Sequence, residues 1–314
     1  MNLIKISLVI PIFNEQESLD SLIESINSQS FQPDEIILVD GGSTDNTIEI
    51  VERMAVENSK IKFIKTPQAS PGKGRNLGVD SAKNDWIAFT DAGIKLETGW
   101  LEELVKVAVQ NPSVDVVYGN YAPRIGNSFE KCAALAYVRP KRENAIRGIF
   151  IASYLAKKKV WEAVGGFPDL RAAEDLIFME AVEKRGFKVD YAPDAMIHWQ
   201  LRPDLSTTFS KFVLYSKHNV WAGRQWDWHY GIAKQYLLVF PFVILAVFHS
   251  WWWLPVVAAW LFARTAKRIL LHRYEFGLQP LLNPIIFFGV LVLILTIDLG
   301  TFIGWGQAVL QKKK

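Results

Sequence analysis

KISLVIPIFNE, residues Lys5 to Glu15, is apolar from Ile6 to Phe13 apart from Ser7, and then ends in Asn14 and Glu15. A strand with one wet face alternates apolar and polar residues. An unbroken apolar run is the pattern of a strand covered on both faces, as in a parallel sheet. The pattern returns in EIILVD (35–40), IKFIK (61–65) and WIAF (86–89). Between these runs the period changes. Leu19, Leu22, Ile23 and Ile26 share one face of a helix over residues 15–29. Ile48 and Val51 turn inward on a second helix, which Thr44 is placed to cap. A helix over 98–110 and the strand VDVVYGNY (114–121) follow. The alternation predicts an α/β fold with a parallel-rich sheet, right-handed crossovers and helices on both faces.

Such a sheet binds ligands outside the carboxyl ends of its strands. There the chain offers Pro11-Ile12-Phe13-Asn14-Glu15, then Asp40-Gly41-Gly42-Ser43-Thr44-Asp45, then Ser70-Pro71-Gly72-Lys73-Gly74-Arg75-Asn76, and finally Asp91. Any one of these reads as an ordinary turn. Four adjacent ends that combine carboxylates, bases and glycines read as a site. Glycines before a helix N-terminus, with Lys73 and Arg75, suit a phosphate group. The P-loop is excluded because no Lys-Ser/Thr follows the last glycine. The dinucleotide fingerprint is excluded because PIFNE stands where it would lie. Asp40 is placed to accept hydrogen bonds from a base or ribose, and Asp91 to ligate a divalent cation that bridges two phosphates.

VIPIFNE, ILVDGGSTDNT, GKGRNLG, FTDAG and AAEDLIFMEAVEKRGF resemble the successive motifs of family 2 glycosyltransferases, over roughly residues 5–200. The resemblance implies a GT-A fold, a nucleotide-diphosphate sugar as donor, and inversion at the anomeric carbon. It implies donor contacts from Pro11, Phe13, Glu15, Asp40, Lys73, Arg75 and Asp91. Asp91 matches the first acid of the family's DxD metal motif, while Gly93 stands where the second acid is common. The implied cofactor is Mn2+ or Mg2+, held by Asp91 with diphosphate and water oxygens, and His198 is a further candidate ligand. Asp175 matches the general base. Glu174 beside it caps the helix or positions Asp175, and two acids in a first turn also suit the helix dipole. Gly165-Gly166-Phe167 resembles the family's GGF turn, which places Gly166 and Glu174 on the acceptor side. His198-Trp199-Gln200-Leu201-Arg202 departs from the QxxRW motif of processive members, so transfer of a single sugar is expected.

The remaining third of the chain changes character. Half of the 314 residues are hydrophobic, the net charge is +3, and no basic stripe with interleaved aromatics suggests a nucleic-acid partner. The single cysteine, Cys132, excludes an intramolecular disulfide framework and reads as a small buried apolar residue. Tyr236–Ala263 carries no charge, and Leu281–Trp305 carries only Asp298. Each exceeds the ~20 residues a membrane helix needs. Nine of the twelve tryptophans lie at or after Trp199, as an interfacial belt requires. The first segment is long for one span and short for two; Pro241, Pro255 and His249-Ser250 mark a helical hairpin. Arg264, Lys267, Arg268 and Arg273 argue for three passes, and Lys312-Lys313-Lys314 for two. Asp298 is expected to snorkel or to pair with a base at headgroup level.

The expected layout is a cytosolic catalytic domain over 1–205, an interfacial helical segment over 206–232, a membrane region over 233–308 and a basic tail over 309–314. The N-terminus lacks a signal peptide's long apolar core, which keeps the domain on the cytosolic side. The expected acceptor is membrane-associated, a lipid-linked glycan or a glycolipid hydroxyl. Two alternatives stay open: a polyprenyl-phosphate glycosyltransferase, and a scaffold that keeps the fold without catalysis.

Overall fold

The run from Lys5 becomes strand β1 (Ile6–Ile12), buried on both faces of the pleat except at Pro11. β2 (Glu35–Asp40) is buried at every position. They are joined by β3 (Ile61–Lys65), β4 (Trp86–Phe89), β5 (Ile94–Leu96), β6 (Val116–Pro123), β7 (Tyr154–Lys157) and β8 (Val189–Trp199). The eight strands form one sheet in the order β3-β2-β1-β4-β7-β6-β8-β5. This is a computed structural model, and it describes residues 4–141 and 146–311.

Parallel pairing holds for β3-β2-β1-β4. Beyond β4 the parallel pairing of the parallel-rich sheet gives way to antiparallel pairing, because β7 runs antiparallel to both β4 and β6, and β8 antiparallel to β5. Continuous apolarity reports burial on both faces and carries no information about strand direction. β1 therefore lies between β2 and β4 at the point where the strand order reverses, which is where open α/β sheets open a crevice.

The crossovers are α1 (Leu19–Asn27), α2 (Thr47–Glu57), α3 (Pro71–Ser81) and α4 (Trp100–Gln110). Four elements follow in order: α5 (Ser128–Tyr137), α6 (Lys158–Val164), α7 (Glu174–Lys184) and α8 (Leu205–Trp221). Thr44 does not cap α2; Asn46 stands at the N-cap and makes no side-chain cap bond. Thr44 instead donates its N–H to Asn14 Oδ1, and Thr47 Oγ1 accepts the N–H of Glu15, both at 2.8 Å. These side chains stitch the two strand-end turns together rather than closing a helix.

Residues 4–122 with 146–200 form one unit, and 123–141 with 201–311 a second. The second contains α5, α8, α9 (Gln225–Trp228), α10 (Tyr230–Phe248), α11 (Leu254–Leu271), α12 (Arg273–Phe276), α13 (Gln279–Leu282) and α14 (Pro284–Leu310). α5 joins this unit by small-residue packing, since a Cβ on Gly289 of α14 would stand 2.6 Å from Cys132 Sγ. Cys132 is buried and free. α8 packs along α14 in the same way: a Cβ at Gly304 would meet the Val213 carbonyl at 2.4 Å.

The expected hairpin exists, with α10 and α11 separated at His249-Ser250. Two described helices are long and apolar enough to cross a membrane, Tyr230–Phe248 and Pro284–Leu310. α11 is not, because Arg264, Lys267 and Arg268 fall within it, so the three-pass expectation lacks its third apolar helix. The basic tail at 312–314 lies outside the described residues.

Asp298 does not snorkel. It is 2% exposed and takes a two-pronged ion pair from Arg264 of α11, one prong at 2.8 Å, and a 2.8 Å hydrogen bond from the Tyr236 hydroxyl of α10. One buried carboxylate thus ties three helices. Asp298→Ala leaves Arg264 charged and unpaired, and is expected to destabilise the helical unit by roughly 3 kcal/mol. Thermal melts in detergent, followed by helical circular dichroism, measure the loss; Arg264→Met in the same chain should restore part of it.

Candidate active site

Two turns frame the crevice. After β1 the backbone enters the left-handed region at Asn14 (φ 55°), whose N–H donates to Ser43 Oγ at 2.8 Å. After β2 the buried Asp40 carboxylate accepts N–H groups from Gly42 (2.9 Å) and Ser43 (3.1 Å) and so holds its own turn. Gly42 has φ +92°, and a Cβ there would stand 2.4 Å from the Pro67 carbonyl, so only glycine fits. Pro11 lies under the first turn of α3, with a Cβ on Gly74 reaching 3.2 Å from its own Cβ. Phe13 is 37% exposed and carries the Arg171 guanidinium 4.4 Å above its ring. The Glu15 carboxylate accepts from Ser18 Oγ.

The glycine-rich stretch does not remain a loop. Ser70 caps α3 by accepting the Lys73 N–H at 3.2 Å, and Pro71 opens the helix where a missing N–H costs nothing. Gly72 lets α7 approach, since a Cβ there would lie 2.3 Å from the Pro168 carbonyl and 3.2 Å from Glu174 Cβ. The Lys73 side chain is exposed, and Arg75 points inward at 3% exposure.

Arg75 joins the two halves of the site. Its Nη2 donates to Asp91 Oδ1 at 2.6 Å, and its Nη1 to Glu174 Oε1 at 2.8 Å. Its Nε has no partner. Glu174 is therefore not a cap: the N-cap position of α7 is Ala173, in the left-handed region at φ 68°, and Glu174 spends its carboxylate on Arg75. Asn14 and Ala173 are the two non-glycine residues with positive φ among the described residues, and both flank the crevice. Strain of this kind, on the order of 1–3 kcal/mol each, persists where a site requires the geometry.

Asp175 follows in the same turn, with its Oδ1 accepting the Leu176 N–H at 2.8 Å. Burial pushes the Glu174 carboxyl up to about 7, with Arg75 pulling partly the other way. Burial also raises the Asp175 carboxyl, again opposed by Arg75, which makes it a better proton acceptor than a solvated aspartate. Burial works against the Arg75 charge, but Asp91 and Glu174 outweigh it and hold the guanidinium protonated.

Gly166 (φ +76°) shapes the turn before α7, and Asn76 pins that turn to α3. Asn76 Oδ1 accepts from Phe167 N and Trp161 Nε1, and its Nδ2 donates to the Phe167 carbonyl, each at 2.8 Å. Asp169 accepts from Ser70 Oγ at 2.5 Å, which ties the same loop to the α3 cap. Asn76 lies inside GKGRNLG without any local sign of its bonds to Trp161 and Phe167, and Asp169 and Arg171 carry no signal in the sequence beyond adjacency to motifs already singled out.

No three His, Cys, Asp or Glu side chains converge as a metal cage among the described residues. His198 pairs its Nε2 with Glu97 Oε1 at 2.7 Å. Asp91 fits a cation held largely by its ligand. Its side chain is 35% exposed, Arg75 engages one oxygen, and a Cβ at Gly93 would meet nothing within 4 Å, which leaves room for water and diphosphate oxygens.

An uncharacterized glycosyltransferase of Haemophilus influenzae is 36% identical over 123 residues, 39% of this chain and 49% of its own length. A GalNAc(5)-diNAcBac-PP-undecaprenol beta-1,3-glucosyltransferase of Campylobacter jejuni is 32% identical over 118 residues, 37% of this chain and 38% of its own. The matched region thus spans half or less of these relatives. S. aureus TarS 1-349, solved with UDP, superposes with a TM-score of 0.54 at 17% identity, covering 96% of this chain and 92% of that one. Mannosyltransferase PcManGT from Pyrobaculum calidifontis, solved with GDP-Man and Mn2+, gives 0.59 at 17%, covering 95% and 87%. At such identities these two show the shared GT-A fold. The profile of Glycosyl transferase family 2 matches residues 7–166, just over half of the 314 residues, from β1 through the GGF turn. With that match over β1 to β7 and over the Arg75 and Asp91 part of the crevice, the chain belongs to glycosyltransferase family 2 and is a transferase.

Proposed function

We propose that the chain moves a single sugar from a nucleotide-diphosphate donor to the hydroxyl of a membrane-associated acceptor, with inversion of the anomeric carbon. The observation that carries this reading is the placement of Asp91, Arg75, Glu174 and Asp175 at one crevice, with Asp91 and Glu174 on either side of a single buried guanidinium. The first turns after β1 and β2 take the nucleoside, with Phe13 as a stacking face, Glu15 as a polar contact and Asp40 holding the second turn. Lys73 meets the diphosphate. A divalent cation at Asp91, once bound, offsets charge on the leaving nucleoside diphosphate. Asp175 removes the acceptor proton as the acceptor oxygen attacks, which is a single displacement and therefore inverts. Gly166 and Glu174 stay on the acceptor side, and His198, its Nε2 paired with Glu97, is kept as the further candidate metal ligand.

The membrane part of the proposal rests on α10 and α14, on the exposed Trp251 and Trp252 between α10 and α11, and on the undecaprenol-linked substrate in the name of the Campylobacter relative. The catalytic unit is placed on the cytosolic side.

The test is product analysis with nucleotide sugars and a lipid-linked glycan acceptor. Release of nucleoside diphosphate with an inverted glycosidic bond is the expected result. Pyrophosphate as the product means nucleotidyl transfer instead.

A further inference from the structure

We propose that Glu174, on the acceptor-side helix, sets the affinity of Asp91 for its divalent cation, acting through Arg75. The inference rests on the donor reading above and adds a positioning residue to it.

Glu174 has no outlet other than Arg75. Its side chain is 7% exposed, and the 2.8 Å contact with Arg75 Nη1 is its side-chain ion pair. Arg75 is equally confined, with its guanidinium carbon 5.5 Å from the Phe167 ring centre and both terminal nitrogens committed to carboxylates. One positive charge is thus divided between two anions, one of which is the candidate metal ligand. In a buried setting the division matters, because charges at hydrogen-bond distance interact strongly and are little screened.

Removing the charge of Glu174 leaves Asp91 as the sole anion in direct contact with Arg75. The full guanidinium charge then competes with the cation for the Asp91 carboxylate. With Glu174 ionised, part of that charge is neutralised from behind, and Asp91 is freer to take a metal. Glutamine at 174 keeps an oxygen for Nη1, so the bridge retains its shape and loses only its charge. The distance from Asp91 to the acceptor helix is spanned by one side chain, which makes Glu174 a means by which α7 influences the donor end.

The experiment titrates Mn2+ alone by electron paramagnetic resonance, and UDP and GDP with Mn2+ or EDTA by calorimetry, on the full chain in detergent. Glu174→Gln is expected to weaken Mn2+ binding and Mn2+-dependent nucleotide binding about tenfold, within the usual range for coupled sites. In an Arg75→Gln background the same substitution should change Mn2+ affinity by less than about twofold. If that background fails to fold, Arg75→Met replaces it, because the apolar side chain fills the buried space and carries no charge to divide between the carboxylates. Wild-type Mn2+ affinity in Glu174→Gln overturns the proposal, as does an equal effect in both backgrounds, which marks a purely structural role. A wild-type chain that binds neither nucleotide overturns the donor reading itself, an outcome visible before any variant is made.

Discussion

Asp175→Asn is expected to lower turnover with a hydroxyl acceptor about 10³-fold, while nucleotide affinity stays within about twofold of wild type. Asparagine preserves the shape and the 2.8 Å acceptance of the Leu176 N–H, so α7 keeps its first turn. What it lacks is a lone pair basic enough to take a proton. Burial raises the Asp175 carboxyl, while the Glu174 carboxylate is engaged by Arg75. Initial rates at saturating donor, paired with calorimetry, separate loss of chemistry from loss of binding. The outcome also divides the two enzymatic readings. A lipid phosphate arrives already ionised and needs no base, so the variant would keep most of its activity towards a polyprenyl phosphate. Undiminished transfer to an alcohol would remove Asp175 from the mechanism.

The second large effect belongs to Asp91. Asp91→Asn should weaken Mn2+-dependent nucleotide binding about 100-fold or more, the scale of a metal's charge stabilisation at a diphosphate. The fold should survive, because Arg75 retains Glu174 as a partner and Asp91 is the more exposed of its two anions, at 35% against 7%. Gly93 supplies no second carboxylate to compensate, and a Cβ there would touch nothing. Gly93→Asp therefore offers a gain-of-function control: a second acid on the turn should tighten Mn2+. Calorimetry with and without EDTA reads both variants. Nucleotide binding that ignores both Asp91→Asn and EDTA would leave the metal without a role.

Half of the fold is legible in the sequence for a physical reason. β1, β2 and β4 are buried on both faces, and burial leaves an unbroken apolar run. Of the antiparallel half, β6 is legible as VDVVYGNY and the rest is not. β5 and β7 are three and four residues long, and β8 mixes Asp190, Pro193 and Asp194 with its apolar positions. Such strands are defined by their neighbours rather than by their own composition. The site divides in the same way. Motif order brings Arg75, Asp91 and Glu174 to one edge, but the sequence places Arg75 towards a phosphate and Glu174 at a helix cap. Their ion pair joins residues 99 positions apart, and no local pattern encodes it. The same holds for Asp298, whose partner Arg264 is 34 residues away on another helix. Local rules failed where a side chain had a better distant partner. Thr44, expected to cap α2, instead donates its N–H and its hydroxyl to Asn14 Oδ1, 30 residues away.

The central claim is that the crevice beside β1 binds a nucleoside diphosphate with the help of a cation. Calorimetric titration of UDP and of GDP into the detergent-solubilised chain, first with Mn2+ and then with EDTA, tests it without needing the acceptor. Tight binding of one nucleotide, lost in EDTA, is the predicted result. A folded chain that binds neither nucleotide in Mn2+ would contradict the account and leave a scaffold with a glycosyltransferase fold.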